Sequence, residues 1–488
     1  MKKISIDPIS RLEGHGKIEI FLDEEGNVKE TFFQVPELRG FEQFAVGRPI
    51  EEMPQITSRI CGVCPEAHMM AAAKAGDAVY KAEVPSAGKK LRELVYSAFY
   101  VQDHATHFYA LGGPDFVVGP DAPKSERNII GVIKKVGLEI GGKVIKARKL
   151  GHRVTQIFGG RTTHPVSAVP GGMTKPIVND EEYEELKAIG DYFLEFGKFT
   201  IQIFEDVVLK NKTYVDLILS DIYVHKTHNM GLVDKNNCVN FYDGKIRVTD
   251  VKGKEIAKFE AKDYLKYISE HTEKFSYLKF PYLKAKGWKG FVDGEESGIY
   301  KATPLSRLNV SDKMATPLAQ AEFEKFYNTL GGKPVHHTLA THWARVIELL
   351  YAAERYNELI KDEEIRSDKV RVALTEKPTE GVGVVEAPRG TLYHHYITDE
   401  KGIVKKANLI VGTTNNNAPI TLSIKRAAEK LITKGKIVSD GILNMIEMAF
   451  RAYDPCFSCA THSLPGQMPM EVVIYDNELK EMERVRRP

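Results

Sequence analysis

Two Cys-x-x-Cys pairs stand near opposite ends of this sequence. The first lies in Arg59-Ile60-Cys61-Gly62-Val63-Cys64-Pro65-Glu66-Ala67-His68, the second in Asp454-Pro455-Cys456-Phe457-Ser458-Cys459-Ala460-Thr461-His462. In each pair the three-residue step turns both sulfurs to one side, where they can share a metal. If both pairs serve one metal, roughly 390 residues of chain must bring their ends together, so the fold has to close on itself. Soft thiolates select zinc, copper(I), iron–sulfur clusters or nickel over oxygen-loving ions. A structural zinc with four cysteine ligands fits the spacing, although zinc ribbons keep their second pair within tens of residues of the first. A redox Cys-x-x-Cys fits less well, because no thioredoxin-like unit surrounds either pair. Spacing alone leaves the metal open. The fifth cysteine, Cys238 in Lys235-Asn236-Asn237-Cys238-Val239, reads as a bystander.

The rest of the chain predicts an α+β fold, mainly α, with long core helices and peripheral β hairpins. Lys17 to Leu22, the turn Asp23 to Asn27, and Val28 to Val35 read as an antiparallel hairpin. The Ala-rich stretch from His68 to Tyr80 favours helix. Leu91, Leu94, Val95, Ala98, Val101, Ala105, Phe108 and Leu111 recur at helical spacing, and Gly112-Gly113-Pro114 is expected to stop that run. Further long helices are expected over 181–209 and 338–359. A β-rich excursion is expected over about 212–300, a second β stretch over 381–414, and a strand at Val472 to Tyr475.

Charge excludes some functions. With 68 basic and 66 acidic residues the net charge is +2, which gives no footprint for a nucleic-acid partner. The Lys-rich stretch 245–289, broken by acids and aromatics, reads as a solvated face. The amino terminus lacks the pattern of a signal peptide, and no stretch of about 18 or more apolar residues is present to span a membrane. The expectation is a cytoplasmic protein. No Gly-x-Gly-x-x-Gly fingerprint is evident, so any NAD or flavin chemistry falls to partners.

The frames Arg-x-Cys-x-x-Cys-x-x-x-His and Asp-Pro-Cys-x-x-Cys-x-x-His resemble the two signatures of nickel–iron hydrogenase large subunits. The resemblance runs along most of the chain. It includes Arg11-Leu12-Glu13-Gly14-His15-Gly16, Arg39-Gly40-Phe41-Glu42, Asp103-His104-x-x-His107-Phe108-Tyr109 and Gly159-Gly160-Arg161-Thr162-Thr163-His164-Pro165. Pro304-Leu305-Ser306-Arg307-Leu308-Asn309, Glu386-Ala387-Pro388-Arg389-Gly390 and Val411-Gly412-Thr413-Thr414-Asn415-Asn416 complete it. Gly412 and Asn415 depart from the proline and tryptophan that many members carry there. Residues 1–462 are expected to form a single large-subunit domain. Cys-Ala-Thr-His and Tyr-Lys-Ala-Thr-Pro-Leu-Ser-Arg-Leu-Asn resemble the cytoplasmic, cofactor-coupled branch, whose members are NAD-reducing or linked to heterodisulfide reductase.

The resemblance implies reversible cleavage of H2 at a nickel–iron centre with carbon monoxide and cyanide on iron. By position Cys61 and Cys456 would be terminal on nickel, and Cys64 and Cys459 would bridge to iron. Cys456 would act as the base and Glu13 as its proton relay; by itself Glu13 would read as a cap or ion-pair residue near Arg11. Arg389 would hang over the open metal position, Asp103 would position it, and Thr413 or Thr414 would hydrogen-bond cyanide. Glu42 and His462 would hold a magnesium ion, while His68 and His164 would be structural or supporting. His104 and His107 read as satisfied core histidines. The implied partners are an iron–sulfur small subunit, further electron-transfer subunits of diaphorase or heterodisulfide-reductase type, nickel-insertion proteins and a protease. That protease would cut after His462, so residues 463–488 are expected to be removed on maturation. The competing expectations are a relative of the quinone-site subunit of respiratory complex I, which has lost the metal cysteines, and a zinc-stapled scaffold.

Overall fold

Helix Thr341–Ile360 is buried along its whole length except at Arg355 and Glu358. It packs against helices Ser86–Thr106, Asp180–Phe204 and Pro317–Leu330. A helix buried on nearly every face, polar residues such as Arg345 and Glu348 included, needs other helices to cover it, which is what the long apolar repeats of its neighbours provide. This computed structural model describes residues 2–435, 437–461, 470–475 and 481–487.

The two longest predicted runs form with an amendment. Ser86–Thr106 is α-helical, but His107–Gly112 continues as π-helix and Gly113–Val117 as a short α-helix, so Gly112-Gly113-Pro114 does not stop the chain there. Proline in a first turn lacks a donor that would have no partner anyway, and so it starts a helix as readily as it ends one. Asp180–Phe204 likewise passes into the π-helix Glu205–Leu209.

The β structure sits around this helical body. The predicted amino-terminal hairpin is present as Lys17–Leu22 and Val28–Gln34, with Lys2–Ile6 added as a third antiparallel strand. The excursion holds a four-stranded sheet of Tyr300–Lys301, His228–Val233, Lys245–Thr249 and Glu255–Phe259 in that order, with a separate hairpin, Ile268–Thr272 and Lys279–Leu283. These strands enclose a smaller apolar cluster around Met230, Ile246, Tyr264 and Tyr393. Glu380–Ala387, Gly390–Thr398 and Val404–Ile410 form a three-stranded antiparallel sheet, and Thr413–Asn416 after it is a 3₁₀ turn instead of strand. The predicted strand near 472 is present as Met470–Tyr475, paired with Glu481–Arg487. No helix among the described residues is long and apolar enough to cross a membrane.

One contact sets the position of the first cysteine pair. Helix Pro65–Val79 lies directly on strand Glu380–Ala387. A Cβ at Gly383 would stand 2.1 Å from Ala71 O. Only glycine on the strand permits this approach to the helix backbone. The helix therefore starts, at Cys64 and Pro65, close to the Pro388–Arg389 turn that closes the hairpin.

Candidate metal centre

Each cysteine pair sits where regular structure changes. Cys61 is extended after the 3₁₀ turn Ser58–Ile60, and Cys64 caps helix Pro65–Val79. In the second pair Asp454 takes a left-handed φ of 55°, an uncommon geometry for a non-glycine residue, and Cys456 is extended before the short helix Phe457–Ala460. The result is convergence. Cys61 Sγ lies 3.3 Å from Cys456 Sγ, Cys64 Sγ lies 3.4 Å from Cys459 Sγ, and Cys456 and Cys459 are 2.9 Å apart. All four sulfurs fall within 4.8 Å of one another and all four side chains are buried. A disulfide would need about 2.05 Å. Sulfurs sharing one tetrahedral metal at about 2.3 Å stand roughly 3.7 Å apart, so the donor set fits a thiophilic metal. Hydrogen bonds from Cys456, Cys459 and Cys64 hold the Cys61 thiol well below its ordinary range, while burial pushes Cys456 and Cys459 well above theirs. Four crowded thiols cannot all ionise without a cation among them.

Two further groups stand at this cluster, Glu13 in contact with a sulfur and Arg389 across the adjoining cavity. Glu13 Oε2 accepts from Cys456 Sγ at 3.0 Å and from Ser458 N at 3.0 Å. Its backbone is tied to the same loop, with Glu13 N donating to Pro455 O and Phe457 N to Glu13 O. Arg389 sits at the turn between Ala387 and Gly390, with Nη1 3.1 Å from Asp103 Oδ1 and Nη2 2.9 Å from Asp454 Oδ2. Burial raises the Asp454 carboxyl to about 7 against the pull of Arg389 and Arg345. Asn416 fixes the turn by donating to Arg389 O at 2.7 Å, and Asn415 donates to Thr391 O at 2.6 Å. A cavity of ≈ 10 Å³ remains, bounded by Cys64, Cys456, Cys459, Arg389, Thr413 and His68 among others. It is closed by the apolar side chains of Ala387, Leu392 and Val411.

Residues 39–130 and 143–462 match the family model described as nickel-dependent hydrogenase, and residues 3–38 match one described as HoxL-like. The chain belongs to the nickel-dependent hydrogenase family. It is 50% identical over 486 residues, all of both chains, to the iron-sulfur subunit of an F420-non-reducing hydrogenase of Archaeoglobus profundus. It is 37% identical over 490 residues, 97% of both chains, to the beta subunit of the NAD-reducing hydrogenase HoxS of Cupriavidus necator. Its fold matches a crystal structure of an NAD+-reducing [NiFe]-hydrogenase in the H2-reduced state, with TM-score 0.88, 35% identity, and 95% of this chain and 100% of that one covered. The fold is that of a hydrogenase large subunit, and these relatives are themselves named as F420-non-reducing and NAD-reducing hydrogenases. The general activity of the family is H2 cleavage.

In this hydrogenase the other sequence-predicted residues fall as follows. Thr413 borders the cavity and its hydroxyl accepts from Cys456 N at 3.1 Å. Thr414 is buried with an unpartnered hydroxyl oxygen and is not among the residues bounding the cavity. Glu42 Oε1 accepts from Leu409 N at 2.8 Å and lies 3.6 Å from Lys279 Nζ, while its buried Oε2 has no hydrogen-bond partner. Burial, offset by Lys279, leaves its carboxyl above the ordinary value. An orphaned carboxylate oxygen fits a cation ligand, but His462 lies outside the described residues, as does the boundary to the tail. His68 borders the cavity and meets His394 at 3.2 Å; His164 meets Ser58 O at 2.8 Å. His104 pairs with Glu348 and His107 with Arg451 O, both at 3.0 Å. Sequence reasoning gave no role to Asp454, although it stands in the quoted signature, and missed the buried network behind Arg389. In that network Arg307 bonds Glu348 at 2.6 and 2.7 Å, Glu386 at 3.0 Å, and the carbonyls of Ala387 and Pro388.

Proposed function

We propose that this protein cleaves H2 heterolytically and reversibly at a nickel–iron centre held by Cys61, Cys64, Cys456 and Cys459. The observation that carries this reading is the carboxylate of Glu13 3.0 Å from Cys456 Sγ, inside a buried four-sulfur cluster. A thiophilic cluster alone is a staple; a cluster with a base in hydrogen-bond reach is equipped to move protons. When bound, nickel supplies the Lewis acid that polarises H2, with iron carrying carbon monoxide and cyanide. Cys456 takes the first proton and passes it to Glu13, which accepts from that sulfur and no other. Cys61, Cys64, Cys456 and Cys459 would together hold the metal pair, with Cys61 and Cys456 on the nickel side and Cys64 and Cys459 shared with iron. Arg389, pinned by Asp103 and Asp454, presents a fixed guanidinium to the cavity, where it orients anionic ligands. Thr413, which borders the cavity, adds a hydroxyl donor in preference to Thr414. Glu42, with its orphaned Oε2, and His462 would hold a magnesium ion.

H2 yields two protons and two electrons, and the electrons need a route out. The four cluster cysteines and the isolated Cys238 are all the cysteines the sequence contains, so no further cluster is held here. An iron–sulfur small subunit takes the electrons, with diaphorase or heterodisulfide-reductase type subunits beyond it. The relatives named NAD-reducing and F420-non-reducing support that assignment and a cytoplasmic setting. Residues 1–462 act as one large-subunit domain, and a protease removes 463–488 after nickel insertion. The test is H2/D2O isotope exchange by the native complex carrying Glu13→Gln. Exchange should fall by about 100-fold or more with nickel retained; undiminished exchange would refute the role of Glu13.

A further inference from the structure

Glu13 and Cys456 belong to segments far apart in sequence, yet their contact is tight. Among the described residues their backbones meet through two bonds, Glu13 N to Pro455 O at 3.4 Å and Phe457 N to Glu13 O at 3.0 Å. Just upstream of each lies an arginine, Arg11 before Glu13 and Arg451 before Cys456. One buried carboxylate joins them. Asp115 Oδ1 accepts from Arg11 Nη2 at 2.6 Å, and Asp115 Oδ2 accepts from Arg451 Nη1 at 2.6 Å.

The surroundings leave Arg11 little freedom. It has a left-handed φ of 56°, and its guanidinium also donates to Leu111 O at 2.9 Å and Asn444 Oδ1 at 3.0 Å. Ser10 and Arg451 are tied a second time through Glu447 Oε2, each at 2.6 Å. The cluster contains two guanidiniums and two carboxylates. Without Asp115 the two guanidiniums would lose the one carboxylate that bonds both of them, leaving Glu447 on Arg451 alone, and a buried pair of like charges with a single partner pushes its members apart. The side chain of Asp115 is 1% exposed and Arg451's is 1% exposed, so water cannot take over the role.

We propose that Asp115 is a positioning residue: its two oxygens clamp the segments carrying Glu13 and Cys456 and so set the distance over which the proton passes. This rests on the reading of Glu13 as proton acceptor. Asp115 touches neither the sulfurs nor Glu13, and its effect runs through Arg11 and Arg451.

The test compares Asp115→Asn with Glu13→Gln in the assembled native complex, and adds Arg11→Lys in case the first variant folds poorly. Asparagine keeps one acceptor and points a donor at the other guanidinium, so one arm of the clamp opens. Amide exchange at Phe457 and Ser458 should quicken by about tenfold. The kcat should fall by about tenfold to a hundredfold with KM for H2 unchanged, the solvent isotope effect should rise, and nickel content should hold. A merely structural role would lower nickel content and yield of complex while leaving the isotope effect alone, and that result would overturn the proposal. So would unchanged amide exchange in both Asp115→Asn and Arg11→Lys. If Glu13→Gln leaves turnover and isotope effect unaltered while those amides quicken, the relay reading falls and the clamp stands.

Discussion

Replacing Glu348 by glutamine should expose how much the network behind Arg389 contributes to stability. Glu348 has no exposed surface and takes Arg307 at 2.6 and 2.7 Å and His104 at 3.0 Å. Glutamine offers one acceptor in place of two oxygens and turns an NH2 toward a donor, leaving Arg307 with Glu386 as its remaining anion. Breaking one side of a buried ion pair costs about 3–5 kcal/mol. With unfolding entropy near 2.1 cal/mol/K per residue, a chain of 488 residues has a total of about 1 kcal/mol/K. The midpoint should therefore fall by about 3–5 °C, read by calorimetry on the purified protein. The pH dependence gives a second check. Burial raises the Glu348 carboxyl, but Arg307 and His104 outweigh it and hold it below its ordinary 4.5. A depressed carboxylate contributes stability above its unfolded pKa and loses it as pH falls through the folded value. The gap between wild type and Glu348→Gln should thus be full at pH 7 and close below about pH 4.5. A midpoint shift under about 1 °C at pH 7, or a gap that widens in acid, would refute the reasoning.

Three further outcomes follow from the geometry. Gly383→Ala places a Cβ 2.1 Å from Ala71 O and 2.4 Å from Ala75 N, both backbone; the protein should lose about 3 kcal/mol in chemical denaturation, and a neutral result would contradict the direct helix-on-strand contact. Cys61→Ser, buried among the other sulfurs, should abolish nickel retention, measured by mass spectrometry of the purified protein, because an uncharged hydroxyl replaces a soft thiolate. Arg389→Lys keeps the charge but loses the fork that reaches Asp103 and Asp454 together; H2 oxidation should drop by about tenfold or more with nickel content unchanged.

The cysteine pairs were legible because each is written locally: a three-residue step between two soft ligands offers a metal site, although spacing does not say which metal. The long helices were legible for a similar reason, since the repeat of Leu91, Leu94, Val95 and Ala98 is a one-dimensional pattern. The π-helical ends at His107–Gly112 and Glu205–Leu209 were not, because the same apolar spacing suits either winding over a single turn. Nor could the sequence reveal the Asp115 clamp or the Arg307–Glu348–Glu386 cluster. Those pairings join residues from distant segments, and a lone Asp in Gly113-Pro114-Asp115 carries no local sign of its partners. Asp454 is intermediate, quoted as part of a signature yet given its task only by the guanidinium 2.9 Å away. Glycine opposite alanine, as at Gly383 and Ala71, is also invisible until the strand and helix are laid together.

The most direct test of the central claim is the metal content of the protein purified from its native host with its partners, determined for nickel, iron and zinc together. Four sulfurs within 4.8 Å, with Glu13 against one of them, predict one nickel per chain, and iron beyond what the partner's clusters require. Zinc alone, in a chain that has been cut after His462, would contradict the account and leave the four cysteines as a structural staple.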